Sequence, residues 1–239
     1  MCFFKLKKEK CDVEKEIENL LNITINKYLS ISHSITDEEG FEPINIHSVN
    51  IVEYSFNLAD SGTKYFSFMH ALSDYRDMLM KEGMVSFIIT NLDNFKLRIE
   101  GRVKNFNSIS SKIEYYVYLK DERGEIPIYK CLNDLYGLRA IIDDSMQLSD
   151  LYACVSKICS SILPDGKIKI RVIDSSKNEY NAVHVYIRKD NYSLPWEIQF
   201  WLKKDDRKNR ISHKRYKQTY TTWEKDINEK TFVNTGDSK

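Results

Sequence analysis

The chain has 239 residues, of which 42% are hydrophobic and 30% are charged, and it contains only 8 Gly and 4 Pro. This composition excludes collagen-like, disordered and linker-rich proteins, and the length suits one substantial core, so we expect one catalytic domain. The 36 Lys and Arg balance the 35 Asp and Glu, so any binding of a polyanion must come from local clusters of charge. The five cysteines are scattered without metal-ligand spacing, which predicts reduced thiols in a cytoplasmic protein.

The first quarter of the chain is predicted to be a helix followed by a connection. Apolar residues recur at three- and four-residue steps over residues 12–29, whereas residues 30–50 are rich in Ser, Asp, Glu and Gly. We therefore expect residues 1–58 to form an N-terminal helical segment and connection, and residues 59–239 to form the catalytic domain with a basic helical C-terminus. The sequence has no apolar run of signal-peptide or membrane-spanning length, so neither feature is expected.

Beyond the connection, helical stretches and period-two alternation predict helices and strands in turn. The predicted elements are a helix at 61–82, a strand at 95–104, a helix at 108–119, a strand at 135–142, a helix at 148–163, strands at 167–172, 181–187 and 196–202, and a polar helical region at 203–229. This order predicts an α+β fold with a mixed sheet of about five strands, and helices on one side of it. The polar side of the sheet is expected to collect Arg102, Lys104, Tyr180, His184, Glu197 and Gln199.

A basic cluster is predicted where the first strand gives way to a helix. Arg102 and Lys104 share a strand face, and this pair alone favours a solvated surface over phosphate binding. Ser108 and Lys112 lie one turn apart on the following helix. Three cations beside free helix N–H groups suit a triphosphate, so the four residues together favour phosphate binding.

Two carboxylates are candidate metal ligands. Asp134 begins an apolar strand, where a carboxylate is unfavourable unless something binds it, and a helix or turn cap explains it equally well. Glu197 projects from its strand together with Gln199, whereas the neighbouring Ile198 faces the core. Two carboxylates on neighbouring strands can hold the magnesium that phosphoryl transfer needs, and one of them can accept the proton of an attacking hydroxyl.

Two further groups of residues allow both a structural and a binding role. Tyr180 and His184 share a strand face, and half-buried packing is the simpler explanation, although a tyrosine can also stack on a base. Asn178 lies in the loop that leads to them. A basic run suits either a solvated helix face or the phosphate backbone of RNA, and comprises Lys203, Lys204, Arg207, Lys208, Arg210, Lys214, Arg215 and Lys217.

Four segments, in this order, resemble motifs of the synthetase domain of RelA/SpoT-like alarmone synthetases. Gly101–Ile113 resembles G-R-x-K-x-x-x-S-I-x-x-K, and Asn133–Arg139 resembles the D-L-x-x-I-R strand. Asn178–His184 keeps the spacing N-x-Y-x-x-x-H, and Glu197–Gln199 matches the start of E-I-Q-I-R-T. The resemblance implies a nucleotidyltransferase-like fold and a pyrophosphokinase that uses ATP and Mg²⁺, moves the β,γ-diphosphate to a ribose 3′-hydroxyl and releases AMP.

The resemblance also implies roles for single residues. It assigns the ATP triphosphate to Arg102, Lys104, Ser108 and Lys112, and the neighbourhood of the adenine to Arg139. It assigns magnesium to Asp134 and Glu197, with Glu197 also activating the acceptor hydroxyl. It assigns the acceptor to Tyr180, which would stack on the base, and to His184, Gln199 and Asn178.

Three departures from the family pattern bear on the acceptor. Glu179 replaces the Gly of N-G-Y, Trp201 and Leu202 replace the Arg and Thr of E-I-Q-I-R-T, and Lys167–Arg171 occupies the place of the D-Y-I segment. These departures resemble toxic small alarmone synthetases that modify the CCA end of tRNA. The resemblance therefore implies a tRNA acceptor end bound partly by the basic run, inhibition of translation, and a cognate antitoxin.

Two alternatives remain open at this point. The first is a small alarmone synthetase that makes (p)ppGpp or (pp)pApp from GDP, GTP or AMP. The second is a catalytically silent RNA-binding module on the same fold. Hydrolase activity is not expected, because none of the five histidines is followed by Asp.

Overall fold

A computed structural model of the chain describes residues 2–32, 34–36, 42–56, 62–82, 97–143, 146–162, 166 and 168–221. The helices are α1 (Cys2–Ile31), α2 (Gly62–Lys81), α3 (Phe106–Tyr118), α4 (Ile128–Cys131), α5 (Leu148–Ile162) and α6 (Asp206–Thr221), with 3-10 turns at Ile51–Tyr54 and Lys203–Asp205. The strands are β1 (Arg98–Val103), β2 (Tyr136–Ile142), β3 (Lys169–Asp174), β4 (Val183–Arg188) and β5 (Trp196–Leu202). The predicted α+β fold is confirmed.

The five strands form one mixed sheet in the order β1-β2-β5-β4-β3. Only β2 and β5 are parallel, and the other three neighbouring pairs are antiparallel. Consequently β1 ends, and β2 and β5 begin, at the same edge of the sheet. Residues just after β1 and just before β2 are thereby brought side by side.

The two faces of the sheet differ sharply in chemistry. Residues directly opposite one another in neighbouring strands project to the same face. One row across the polar face is Arg102, Gly137, Glu197, Tyr186 and Arg171, and the next is Glu100, Arg139, Gln199, His184 and Ile173. The other face is mainly apolar, and Val185 and Ile198 at its centre are completely buried.

The apolar face carries α1 and α5. Leu20 and Leu21 of α1 and Val155 of α5 are completely buried in one core with the strands. The Tyr28 hydroxyl donates to the carbonyl oxygen of Leu194 at 3.2 Å and joins the end of α1 to the sheet. The predicted boundary near residue 58 falls within 57–61, outside the described residues, so the division into 1–58 and 59–239 stays a prediction.

Helix α6 lies on the polar side, so the expectation that the helices occupy one side of the sheet is wrong. This helix is too polar to bury an apolar face, and it is held by hydrogen bonds instead. The Asn209 side chain is completely buried, donates to the carbonyl oxygen of Asn181 at 2.7 Å and accepts from the Asn181 amide at 2.8 Å. Ion pairs of Arg98 with Asp206 and of Arg210 with Glu100 connect the same helix to β1.

Several predicted element ends fall on residues that are not described, namely 61, 95–96, 163, 167 and 222–229. Across the described part of the chain, no helix combines the length and apolar character that crossing a membrane requires. Cys131, Cys154 and Cys159 are buried free thiols.

Candidate active site

The end of β1 and the start of β2 place a lysine and an aspartate next to each other. The Lys104 amide donates to the carbonyl oxygen of Leu135 at 2.7 Å, which fixes the two chain segments side by side. Helix α3 starts immediately afterwards, because the Asn105 side chain caps it by accepting from the Asn107 amide at 2.9 Å. Lys112, in the second turn of α3, therefore also lies beside Asp134.

Asp134 is held by two buried lysines. Lys104 Nζ donates to Oδ2 at 2.8 Å and Lys112 Nζ donates to Oδ1 at 2.9 Å, while Arg102 Nη2 lies 3.8 Å from Oδ2. Burial alone would raise the pKa of Asp134, but the charges and hydrogen bonds of Lys112 and Lys104 outweigh it and hold that pKa well below its usual range. Burial lowers the pKa of Lys104 to about 8, although Asp134 opposes the shift. Three cations around one carboxylate leave an excess of positive charge.

Glu197 is 5% exposed and is held by three neighbours on the polar face. Gln199 Nε2 donates to Oε2 at 2.7 Å, Tyr186 Oη donates to Oε1 at 2.8 Å, and His184 Nδ1 lies 3.0 Å from Oε1. Burial would raise the pKa of Glu197, but the hydrogen bond and charge of His184 outweigh it and lower the pKa. The carboxylate is therefore ionised at neutral pH and fixed in orientation.

A chain of hydrogen bonds continues from Glu197 to the Tyr180 ring. The Tyr180 hydroxyl lies 2.7 Å from His184 Nε2, and Trp201 Nε1 donates to that hydroxyl at 3.2 Å. His184 Nδ1 faces the Glu197 carboxylate and Nε2 faces the Tyr180 hydroxyl, so the imidazole ring bridges the two residues. The orientation of Tyr180 is thereby linked to that of the carboxylate.

Both candidate carboxylates face one cavity of about 610 Å³, here called the central cavity. It is lined by Lys112 and Asp134 on one side, by Asn178, Tyr180 and His184 on another, and by Glu197, Gln199, His213 and Arg215. A smaller cavity of about 190 Å³, the arginine cavity, is lined by Arg102, Arg139 and Gly137 and shares Glu197, Gln199 and His213 with the central cavity. Glu197 thus stands on the border of two adjoining cavities.

Gly137 matters for the shape of this border. It lies between Arg102 and Glu197 in the same cross-strand row, and a Cβ atom there would come within 3.8 Å of Glu197 Oε2. Because residue 137 has no side chain, the floor between the arginine and the glutamate is open.

Apart from Arg215, the remaining predicted site residues line neither cavity, and this includes the buried Lys104. Ser108 is buried on α3 and lines neither cavity. Four members of the basic run have partners. Lys203 pairs with Asp143, and Lys204 donates to Gln147 Oε1 at 3.2 Å. Arg210 pairs with Glu100 and Asp206, and Arg215 lies 3.8 Å from Glu179. Arg207, Lys208 and Lys214 are exposed and form no ion pair with any other described residue. The basic run is therefore partly neutralised and partly free.

Tyr186, Trp201 and His213 are among the residues at the site that were not singled out as site residues from the sequence. Trp201 is completely buried on the polar face, with the Arg139 guanidinium 3.7 Å from its ring centroid. Its position, two and four residues after Gln199 and Glu197, was a usable signal, because alternate strand residues share a face. His213 lines both cavities from α6, and nothing in its sequence surroundings distinguishes it from its basic neighbours.

His213 predicts a pH dependence of stability. Burial and the charges of Arg102 and Arg139 lower its pKa to about 4, whereas in the unfolded chain it titrates near its ordinary value of about 6.5. Between these values the unfolded state binds more protons, so stability is complete above pH ~6.5 and falls as the pH drops toward ~4. We expect the free energy of unfolding to fall by about 3 kcal/mol across this window on account of His213, measured by urea denaturation.

The variant His213→Gln is expected to flatten this part of the pH profile. The same replacement at His70, whose side chain is 78% exposed on α2, serves as the control and should keep the wild-type slope. An unchanged slope in His213→Gln would show that other groups cause the acid loss of stability.

The part of the chain that lines these cavities matches a known protein family. The family described as the region found in RelA and SpoT proteins matches residues 101–229, more than half of the chain. The chain belongs to the RelA/SpoT family. The matched residues include Asp134 with the three cations around it, and Glu197 with Gln199, Tyr186 and His184. The match supports a pyrophosphotransferase domain of the alarmone-synthetase kind.

Further comparisons add little to the RelA/SpoT assignment. Small alarmone synthetase 1 from Bacillus subtilis bound to its product pppGpp is 14% identical and gives a TM-score of 0.36, over 72% of this chain and 97% of that chain. The same enzyme bound to AMPCPP is 16% identical with a TM-score of 0.29, over 70% and 91% of the two chains. At these values the structural likeness carries no argument. A comparison with curated protein sequences found no match.

Proposed function

We propose that this RelA/SpoT-family chain is a magnesium-dependent pyrophosphokinase that transfers the β,γ-diphosphate of ATP to the 3′-hydroxyl of the tRNA CCA end and thereby inhibits translation. The observation that carries the proposal is the convergence of Asp134 and Glu197 on one cavity. A cluster of three cations surrounds the first of these carboxylates. Phosphoryl transfer depends chiefly on positioning and on neutralising charge, which is what such an arrangement supplies.

On the donor side, we assign the triphosphate of ATP to Arg102, Lys104 and Lys112, with Ser108 on the same helix. Asp134 already orients both lysine ammonium groups, so little reorganisation is needed when phosphate oxygens arrive. Arg139 stacks on Trp201 and lines the arginine cavity beside Arg102. We place it near the adenine, because a guanidinium plane held in position by an indole ring suits stacking on an aromatic base.

Magnesium fits the residues that are present. The described residues contain no cluster of three or more His, Cys, Asp or Glu that could hold a metal by itself. Magnesium, however, is commonly bound by one or two carboxylates plus substrate phosphates and waters, and Asp134 and Glu197 provide two ionised carboxylates facing one cavity. When bound, the ion would neutralise charge that develops on the transferring phosphates.

On the acceptor side, Glu197 has the geometry of a proton acceptor with fixed orientation. Its lowered pKa makes it a weak base, so its main contribution is to orient the 3′-hydroxyl and to hold magnesium. Tyr180 lines the cavity and its hydroxyl is held by His184 and Trp201, which leaves the ring to stack on the acceptor base. Gln199, His184 and Asn178 would contact the ribose or its phosphates.

Two observations favour RNA over a free nucleotide as the acceptor. Arg207, Lys208 and Lys214 are exposed cations on α6, which also forms one wall of the central cavity. Trp201 replaces an arginine of the family motif with a completely buried apolar ring, which removes a cation that acceptor phosphates could use. By resemblance to the toxic members of the family, we also propose a cognate antitoxin protein as partner.

The deciding experiment supplies the purified protein with γ-³²P-ATP and either bulk tRNA or a mixture of GDP, GTP and AMP. We expect label on tRNA together with stoichiometric AMP, and no transfer without magnesium. Label confined to nucleotides would support the alarmone-synthetase alternative. Absence of AMP release with every acceptor would support a silent RNA-binding module.

A further inference from the structure

A second basic cavity adjoins the central cavity at the edge of the sheet. This edge cavity, of about 260 Å³, is lined by four cations, Lys130, Lys169, Arg171 and Arg188, and shares Asn133 and Tyr186 with the central cavity. Among the described residues, no Asp or Glu lines it. A concave surface with cations and no carboxylate concentrates positive potential and attracts anions.

Arg188 has a guanidinium N–H group for which the described residues supply no hydrogen-bond acceptor. Its Nη1 atom is buried and has no hydrogen-bond partner among the described residues, and its guanidinium lies 5.0 Å from the ring centroid of Tyr129. Buried guanidinium donors are normally satisfied, and phosphate and carboxylate oxygens match their geometry best. Lys169 Nζ donates to Asn191 Oδ1 at 3.5 Å, the upper limit of a hydrogen-bond distance, and forms no ion pair with a described residue.

The local potential is visible in a neighbouring histidine. His47 stacks on Tyr129 with 4.8 Å between ring centroids. Burial and then the charges of Arg188, Lys169 and Lys130 lower the pKa of His47. The three cations therefore add to the effect of burial on this ring, which lies beside the edge cavity.

The position of the edge cavity relates it to the reacting centre. Arg171, Tyr186 and Glu197 lie in one cross-strand row on β3, β4 and β5, so Arg171 stands about 10 Å from Glu197 by the usual spacing of strands. Because β3 is the edge strand, and Lys169 and Arg171 on it are exposed, the cavity opens at the border of the sheet. A polymer lying in it can continue beyond the protein.

We infer that the edge cavity binds backbone phosphates of the acceptor RNA, on the 5′ side of the nucleoside whose 3′-hydroxyl enters the central cavity. The inference rests on the proposed function, because it assumes that the central cavity receives an RNA 3′ end. One phosphodiester carries a single negative charge, whereas the edge cavity has four cations. This difference favours a short stretch of single-stranded backbone with several phosphates. The outward opening at β3 gives that stretch a path to the rest of the RNA.

The test measures binding without catalysis. A fluorescent single-stranded RNA ending in CCA is titrated with the full-length protein, without ATP, over a series of salt concentrations. In the double variant Lys169→Gln/Arg171→Gln we expect the Kd to rise about tenfold at moderate salt, and the slope of log K against log[salt] to fall by about 1.4, as two lost phosphate contacts predict. Replacing the phosphodiesters next to the 3′ end with neutral methylphosphonates should weaken binding to the wild type and have little further effect on the variant.

A matched control removes two charges from the other side of the molecule. Lys15 and Lys157 are exposed on α1 and α5, which cover the apolar face of the sheet, so Lys15→Gln/Lys157→Gln should keep the wild-type Kd and salt slope. Both affected residues of the test variant are exposed, and its urea midpoint should match the wild type. Arg188→Gln provides a second variant at the same cavity and should also weaken binding.

The outcomes separate this inference from the proposed function. Equal Kd and salt slope in wild type and both cavity variants would overturn the inference. GDP, GTP and AMP are titrated in the same way. If the cavity variants bind these nucleotides more weakly but bind the RNA as well as the wild type does, the assignment to RNA backbone is wrong. Weaker RNA binding by the variants in a protein that never releases AMP would support the phosphate site while refuting the pyrophosphokinase activity.

Discussion

Replacing Glu197 by Gln is expected to lower the turnover of diphosphate transfer by about a thousandfold, with ATP binding retained. The substitution keeps the shape of the side chain but removes its charge, so under the proposed function it can no longer hold magnesium together with Asp134. It also disturbs the local network, because both carboxylate oxygens accept hydrogen bonds, from Gln199 on one side and Tyr186 on the other. A glutamine offers only one acceptor oxygen. AMP release and label transfer from γ-³²P-ATP measure the loss.

Glu122→Gln is the matched control, since Glu122 is exposed in the turn after α3 and lines neither the central nor the arginine cavity. It should retain transfer within about twofold, as surface substitutions usually do. Activity of Glu197→Gln close to that of the control would remove Glu197 from the reaction. Activity lost in parallel with ATP binding would instead assign Glu197 to the donor site.

Replacing Asp134 by Asn is expected to lower the free energy of unfolding by about 3–5 kcal/mol, because it leaves buried ammonium groups without their counter-charge. Lys104 and Lys112 are each 4% exposed and both donate to this carboxylate. A polyphosphate can replace the missing charge. Urea denaturation should therefore show that a non-hydrolysable ATP analogue stabilises Asp134→Asn more than it stabilises the wild type, although transfer is lost.

The control is Asp143→Asn at the other end of β2. Its partner Lys203 is 62% exposed and Asp143 itself is 66% exposed, and ion pairs of this kind contribute at most about 1 kcal/mol. A loss of stability in Asp134→Asn no larger than in this control would show that water already compensates the lysines. Equal stabilisation of both proteins by the analogue would argue against phosphate binding at Lys104 and Lys112.

Strand periodicity was sufficient to predict which side chains share the polar face. Glu197, Gln199 and Trp201 follow a strict alternation with fully buried apolar neighbours, and Tyr186 and His184 do so on β4. Alternation has this power because a strand turns successive side chains to opposite faces whatever its neighbours are. The same reasoning cannot tell which strands are adjacent, so it could not predict the contact of Asp134 with Lys104, which depends on the antiparallel pairing of β1 with β2.

The placement of α6 could not be predicted from the sequence for a related reason. A helix with an apolar stripe must face the core, but α6 is polar all round and is positioned by one buried side chain, Asn209, and by ion pairs. Nothing in the local pattern marks Asn209 as buried. Consequently it could not be predicted that His213 would line the cavities, or that Arg210 would pair with Glu100.

The missing side chain at Gly137 has a consequence for how the protein could be re-engineered. The residue forms the threshold between the compartment of Arg102 and that of Tyr180, and its methyl-sized gap is bordered only by Glu197 within 4 Å. An alanine fits there at ordinary contact distance, whereas a branched side chain would fill the gap between the arginine cavity and the central cavity. Under the proposed function, such a substitution would separate the donor from the acceptor without changing any of the surrounding charges.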